Sequence, residues 1–138
     1  MKKSLAALLL VVSVLLAACG SGTAADGDKS QANSDAYHKI TAEEAKQMMD
    51  QGNATVVDVR TEDEYKAGHI PGSILIPNEE IGTERPQELP DPDAILLVHC
   101  RTGIRSKEAS DKLVKMGYKN VYDFGGIVDW PYEIVEEQ

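Results

Sequence analysis

Cys100 is the residue best placed for covalent chemistry. It follows the apolar run Ile95-Leu96-Leu97-Val98 and His99, and it opens the segment Arg101-Thr102-Gly103-Ile104-Arg105, with a helix predicted to begin near Ser106. A tight loop entering a helix N-terminus turns several backbone N–H groups inward and adds the positive end of the helix dipole, so it stabilises a thiolate or a bound anion. Arg101 and Arg105 bring charge of the same sign. In such settings a cysteine thiol ionises at a pKa of about 3.5 to 7.5 and is a nucleophile at neutral pH. The plain alternative is an inert buried cysteine at a strand end, and Arg101, Gly103 and Arg105 beside it argue against that.

Other polar residues have structural readings. Asp58 and Arg60 stand two apart at a strand end, face the same way and are expected to form a buried polar network supporting the loop. His69 lies in a Gly-His-Ile-Pro-Gly turn, and a sulfur already ionised needs no general base. His99 is expected to point away from the loop, because consecutive strand side chains alternate faces. Gly125-Gly126 reads as a close backbone approach, since neither a following lysine nor G-x-G-x-x-G spacing is present. Trp130 reads as core packing.

These residues need a scaffold, and the chain supplies alternating strand and helix signals. Thr41-Ala42-Glu43-Glu44 has capping-box spacing, followed by Ala45, Met48 and Met49 on a helical period and Gly52 as a stop. Residues 55–59 read as a β-branched strand, with Thr61 capping a short helix through Ala67. Residues 74–76 and 95–98 are near-continuous apolar runs, the kind buried on both faces of a parallel sheet. Ala109, Leu113 and Met116 predict a helix closed by Gly117, residues 120–124 a strand, and residues 127–135 a last helix interrupted by Pro131. Strands separated by helices imply an α/β domain, a parallel sheet with helices on both faces, whose ligands sit beyond the carboxyl ends of the strands.

The 138 residues, 42% hydrophobic and 27% charged, suit one domain. The net charge of -9 argues against nucleic acid as a partner. Two cysteines and three unclustered histidines exclude a four-cysteine zinc site, and neither a metal nor an organic cofactor is expected. Met1-Lys2-Lys3 followed by fourteen residues, 5–18, with Ser13 the only polar one, reads as a signal-peptide core. A membrane span needs about 20 apolar residues. Residues 19–36 lack large aliphatic side chains and read as a flexible linker, leaving 37–138 as the folded domain.

Two resemblances sharpen this picture. Leu16-Ala17-Ala18-Cys19 resembles the lipobox of bacterial lipoproteins, which implies cleavage after residue 18, lipid on Cys19 and an extracytoplasmic, membrane-anchored domain. Acyl chains contribute about 0.8 kcal/mol per buried methylene, and two or three of them anchor stably. The segment from Cys100 to Ser106 resembles the active-site loop of single-domain rhodaneses. Val57-Asp58-Val59-Arg60 with Glu64, Gly68-His69-Ile70-Pro71-Gly72-Ser73, and Gly125-Gly126 with Trp130 follow the same family's order and spacing. That resemblance implies a rhodanese-like fold, a five-stranded parallel sheet flanked by helices, and a sulfurtransferase working through a persulfide on Cys100. Its partners would be a small anionic donor such as thiosulfate and a thiophilic acceptor such as cyanide or a thiol. The amides of residues 101–105 would cradle the sulfur, and Arg101 and Arg105 would draw in the donor. His99-Cys100 is also similar to the start of the H-C-x5-R loop in cysteine phosphatases and arsenate reductases of the same fold. Here only four residues separate Cys100 from Arg105. A noncatalytic sulfur carrier or redox-sensing binding module is the other alternative.

Overall fold

The computed structural model describes residues 35–137. The proposed leader and lipidation site at Cys19 lie outside them, as does the linker apart from Asp35 and Ala36; Ala36, assigned to the linker by composition, is only 8% exposed and belongs to the core.

Five strands form one sheet: β1 (Tyr37–Lys39), β2 (Ala54–Asp58), β3 (Ile74–Leu75), β4 (Ile95–Cys100) and β5 (Asn120–Gly126). Their order is β1-β5-β4-β2-β3 and every pairing is parallel. Three helices connect them: α1 (Ala42–Asp50), α2 (Glu62–Ala67) and α3 (Ile104–Lys115). Alternation along the strands explains the unbroken apolar runs. Val57, Leu96 and Val98 face α3, where Ala109 and Leu113 close one core, while Val56 and Leu97 join Ala45 of α1, Ile70, Phe124 and Trp130 on the other face.

Local signals set the helix starts. Thr41 and Thr61 each accept a hydrogen bond from the backbone of the third helical residue, and Glu44 and Glu64 reach back to the cap, completing two capping boxes. The third helix begins at Ile104, two residues before the expected start, because Gly103 takes φ +106° and turns the chain directly into the helix. Ile104 and Arg105 are therefore first-turn residues.

The expected helix over 127–135 is absent. One 3-10 turn (Ile127–Asp129) ends at Trp130, whose extended backbone precedes Pro131, and Val135 then pairs in an antiparallel bridge with His69. The residue before a proline is driven out of the helical region by its ring, and the proline has no N–H for a helical bond.

After β2 the chain moves outward to β3; β4 then returns to the other side of β2, with β5 beyond it. The two directions diverge between β2 and β4, where open parallel sheets bind ligands beyond the strand ends. Cys100 ends β4 at that point.

Candidate active site at Cys100

Cys100 is the last residue of β4 rather than the first of the loop, and it is 1% exposed. The Gly103 N–H donates to its Sγ at 3.0 Å. Burial pushes the thiol pKa up, but the N–H groups of Ser106, Gly103 and Thr102 and the Ser106 hydroxyl outweigh it, and the net shift is downward. The loop amides thus do what hydrogen bonds to an anion do elsewhere: they favour the ionised form.

A register shift between β4 and β5 brings the loop and Gly126 together. Val98 pairs with Asp123 and Cys100 with Gly126, so one residue of β4 faces two of β5. Gly125 absorbs the extra residue at φ +86°. Gly126 then passes so close beneath the loop that a Cβ there would lie 2.1 Å from the Arg101 carbonyl oxygen. The close approach expected of Gly125-Gly126 is thus made at Gly126.

Beneath the loop sits a carboxylate that sequence reasoning missed. Asp123, 1% exposed, accepts from the Ser106 hydroxyl at 2.8 Å and the Gly125 N–H at 2.9 Å. Tyr37 donates to it at 3.1 Å, and the Lys39 ammonium lies 3.2 Å away. Both Tyr37 and Lys39 come from β1, an edge strand too short to be read from its three residues. Its one sequence cue is that Asp123 is the only acid in the strand Asn120 to Gly126.

Asp58 and Arg60 form the buried pair expected of them. Arg60 donates to Asp58 from Nε at 3.0 Å and from Nη2 at 2.7 Å, and its Nη2 also reaches the Gly68 carbonyl at 2.7 Å. Removing one partner of such a pair costs about 3–5 kcal/mol. His99 lies opposite Asp58 across the β2–β4 pairing, with Nε2 3.6 Å from Oδ2. Burial lowers its pKa, the Asp58 charge opposes this, and the net shift is downward, so the ring is neutral at pH 7. It packs against Phe124, on the face opposite Cys100. His69 stacks on Tyr65 with ring centroids 3.8 Å apart and Nδ1 2.9 Å from the Tyr65 carbonyl, a structural placement.

The two loop arginines differ. Arg105 donates to both oxygens of Glu64 at 2.7 and 2.9 Å, so its charge is matched and it does not face the sulfur as a free cation. Arg101 is exposed and makes no ion pair among the described residues. Thr102 and Ile104 are exposed on the loop rim, Ile104 at 78%. Among the described residues no group of three or more His, Cys, Asp or Glu side chains is placed to hold a metal.

Glu64 serves the cap and Arg105 at once. The hydrogen bond from Arg105 lowers its pKa most, burial opposes, and the Thr61 cap lowers it further, to about 2. A carboxyl depressed in this way contributes stability that is complete above its unfolded value of about 4.3 and disappears as pH falls towards 2. With the side chain 28% exposed, solvent screening reduces the contribution to about 1–2 kcal/mol. Glu64→Gln is therefore expected to lower stability by about that amount at pH 7 and by much less at pH 2.5. Urea midpoints at the two pH values test this, and an equal loss at both would exclude the ion pair as its cause.

Similarity to known proteins agrees with this geometry. Residues 41–132 match the rhodanese-like domain family model. A rhodanese from E. coli, solved with anions, superposes with a TM-score of 0.56 at 33% identity, covering 60% of this chain and 98% of that one. A rhodanese-like domain protein from Staphylococcus aureus gives 0.62 at 30% identity, covering 73% and 99%. The human single-domain sulfurtransferase gives 0.61 at 26%, covering 67% and 93%. Among curated proteins, the tRNA uridine(34) hydroxylase of Yersinia pestis (strain Pestoides F) is 30% identical over 105 residues, which are 72% of this chain and 30% of that protein. The chain thus spans about a third of the length of such relatives. With the five-stranded parallel sheet, the loop at the end of β4 and a family match across most of its length, the chain belongs to the rhodanese-like domain family, a fold associated with sulfurtransferases.

Proposed function

We propose that this protein is a sulfurtransferase that moves sulfane sulfur from an anionic donor such as thiosulfate to a thiophilic acceptor through a persulfide on Cys100. The observation that carries it is the Cys100 sulfur held within a short ring of amide donors, with Gly103 N–H at 3.0 Å and the thiol pKa driven down. The thiolate attacks the outer sulfur of thiosulfate, the Sγ–S bond forms, and the S–S bond of the donor breaks with its electron pair leaving on sulfite. A thiolate acceptor or cyanide then takes the terminal sulfur and restores the Cys100 thiolate. The same amide groups that stabilise the thiolate stabilise the persulfide anion.

Phosphate chemistry fits less well. Four residues separate Cys100 from Arg105, and that guanidinium is turned onto Glu64 at 2.7 and 2.9 Å instead of into the loop. A tetrahedral oxyanion would lack the bidentate clamp that such a site needs. Mass spectrometry of the chain after incubation with thiosulfate tests the proposal. Gain of one sulfur atom on Cys100, removed by cyanide with thiocyanate formed over many turnovers, is expected. A single loading without turnover would favour a carrier module, and faster hydrolysis of a phosphate ester than turnover of thiosulfate would overturn the assignment.

We further propose that the domain works outside the cytoplasm, tethered by lipid on Cys19. With Cys19 modified, Cys100 is the only free thiol of the two cysteines, so a persulfide has no resolving cysteine within the chain and its sulfur must pass to an outside acceptor. Cys19→Ala is expected to abolish lipid attachment and leave the chain unprocessed or released from the membrane fraction. Unchanged processing and membrane fractionation would mean that residues 5–18 act as a retained anchor.

A further inference from the structure

His99 is fully buried and joined by a peptide bond to Cys100, yet the sulfur-transfer chemistry makes no use of its side chain. Its two ring nitrogens have different surroundings. Nδ1 lies 3.2 Å from the Cys100 carbonyl oxygen, within the range of an N–H···O bond. Nε2 has no hydrogen-bond partner among the described residues, because Asp58 Oδ2 stands 3.6 Å away and is beyond that range. Asp58 is committed elsewhere, since Arg60 donates to both of its oxygens.

A neutral imidazole carries one proton, and the surroundings decide which nitrogen holds it. With the proton on Nε2, the lone pair of Nδ1 would face the lone pairs of the Cys100 oxygen, and the Nε2–H would have no acceptor in reach. Both nitrogens would then be unsatisfied in a buried place. With the proton on Nδ1, the Cys100 carbonyl gains a donor and only Nε2 is left unpaired, which is the less costly arrangement. The charged groups facing the ring are Asp58 and Arg60 from the β2 side and Asp123 from β5, whose carboxylate is turned to Ser106. None of them is hydrogen-bonded to Nδ1 among the described residues.

The carbonyl held in this way belongs to the peptide that leads from Cys100 into the loop. In a trans peptide the C=O and N–H point in opposite directions, so fixing the oxygen also fixes the Arg101 N–H. The Cys100 side chain lies in the core beneath α3, whereas the His99 ring packs against Phe124 on the other face of the sheet. A peptide freed from His99 could rotate and bring its oxygen, the negative end of the dipole, towards the sulfur. We infer that His99 is a positioning residue for the nucleophile: its Nδ1–H anchors the Cys100 carbonyl away from the sulfur and keeps that oxygen from competing with the loop N–H groups around the thiolate. The inference rests on Cys100 as the nucleophile of the proposed sulfur transfer and adds a residue that acts through it.

Three substitutions and one measurement on the unsubstituted protein test it. Asparagine places an amide N–H where histidine carries Nδ1–H, glutamine places one where it carries Nε2–H, and leucine offers neither. Alkylation by iodoacetamide across a pH series, read on the peptide containing Cys100, reports the thiolate without any sulfur donor. His99→Asn is expected to keep the profile of the unsubstituted protein. His99→Gln and His99→Leu should raise its midpoint by about one unit, which cuts the thiolate about tenfold at a pH below both midpoints. Sulfur loading from thiosulfate should follow the same order. The nitrogen chemical shifts of the His99 ring in the unsubstituted protein should show the proton on Nδ1, a result that does not depend on whether any variant folds. A proton on Nε2, rescue by glutamine instead of asparagine, an unchanged profile in His99→Leu, or equal losses in all three variants overturns the inference. The expected order of alkylation profiles in a protein that takes up no sulfur would support the role of His99 and overturn the sulfurtransferase reading instead.

Discussion

Cys100→Ser is expected to give a folded protein that takes up no sulfur from any donor. The substitution exchanges one chalcogen atom at the end of β4, a buried position whose neighbours are the Gly103 N–H at 3.0 Å and the apolar core. The hydroxyl can accept the same hydrogen bond, so the loop keeps its partner and the change in stability should stay within about 1 kcal/mol. What is lost is the nucleophile. The pKa of a serine hydroxyl lies far above neutrality, and all three imidazoles are engaged elsewhere: His99 faces the opposite side of the sheet, His69 is held against Tyr65, and His38 is stacked on Tyr122. The expected loss of thiocyanate formation is at least a thousandfold, with the thermal transition shifted by only a few degrees. A Cys100→Ser protein that still turned over thiosulfate would refute the persulfide mechanism, because the chain's other cysteine, Cys19, is the residue proposed to carry lipid.

The parts of this site that could be read in the sequence are those encoded within a few residues. The capping box at Thr41 and the cap at Thr61 are local patterns, and the thiol-loop-helix unit is one contiguous segment, so chain order alone put Cys100 at a strand end. The Asp58–Arg60 pair was equally legible, since a spacing of two in a strand places side chains on one face. The parts missed depend on contacts between distant residues. Glu64 carries a local cap signal, yet its bond to Arg105 spans 41 positions and is what removes Arg105 from the set of free cations. Asp123 looks like an ordinary polar strand residue until Tyr37, 86 positions earlier, and Lys39 come alongside it on β1. The C-terminal stretch misled for a different reason. Its apolar residues have a near-helical spacing, but Pro131 and the bridge from Val135 to His69 outweigh that local pattern, and the apolar side chains line a cleft instead of a helix face.

Gly126→Ala should separate loop geometry from the presence of the thiol. A methyl group at this position would meet the Arg101 carbonyl oxygen at 2.1 Å, the Arg101 carbonyl carbon at 2.6 Å and the Thr102 Cα at 2.7 Å. All three are backbone atoms, so no side chain can rotate away, and either the loop lifts from β5 or β5 shifts at its bulge. Backbone strain is not the issue, because Gly126 has φ -118° and ψ 147°, values any residue adopts. The cost is steric and falls on the two residues after Cys100. Overpacking of this kind costs about 1–3 kcal/mol in stability. The larger effect should be on chemistry. Lifting residues 101 and 102 moves the Thr102 and Gly103 N–H groups away from the sulfur, and those donors help to hold the thiol pKa down against burial. The thiol pKa should therefore rise, and sulfur loading at pH 7 should fall at least a hundredfold, in line with the removal of one or more preorganised donors from an anion site. Alkylation of Cys100 by iodoacetamide across a pH series reads the pKa directly. A profile unchanged from that of the unsubstituted protein, with Gly126→Ala folded, would show that the amide ring does not set the reactivity of this cysteine.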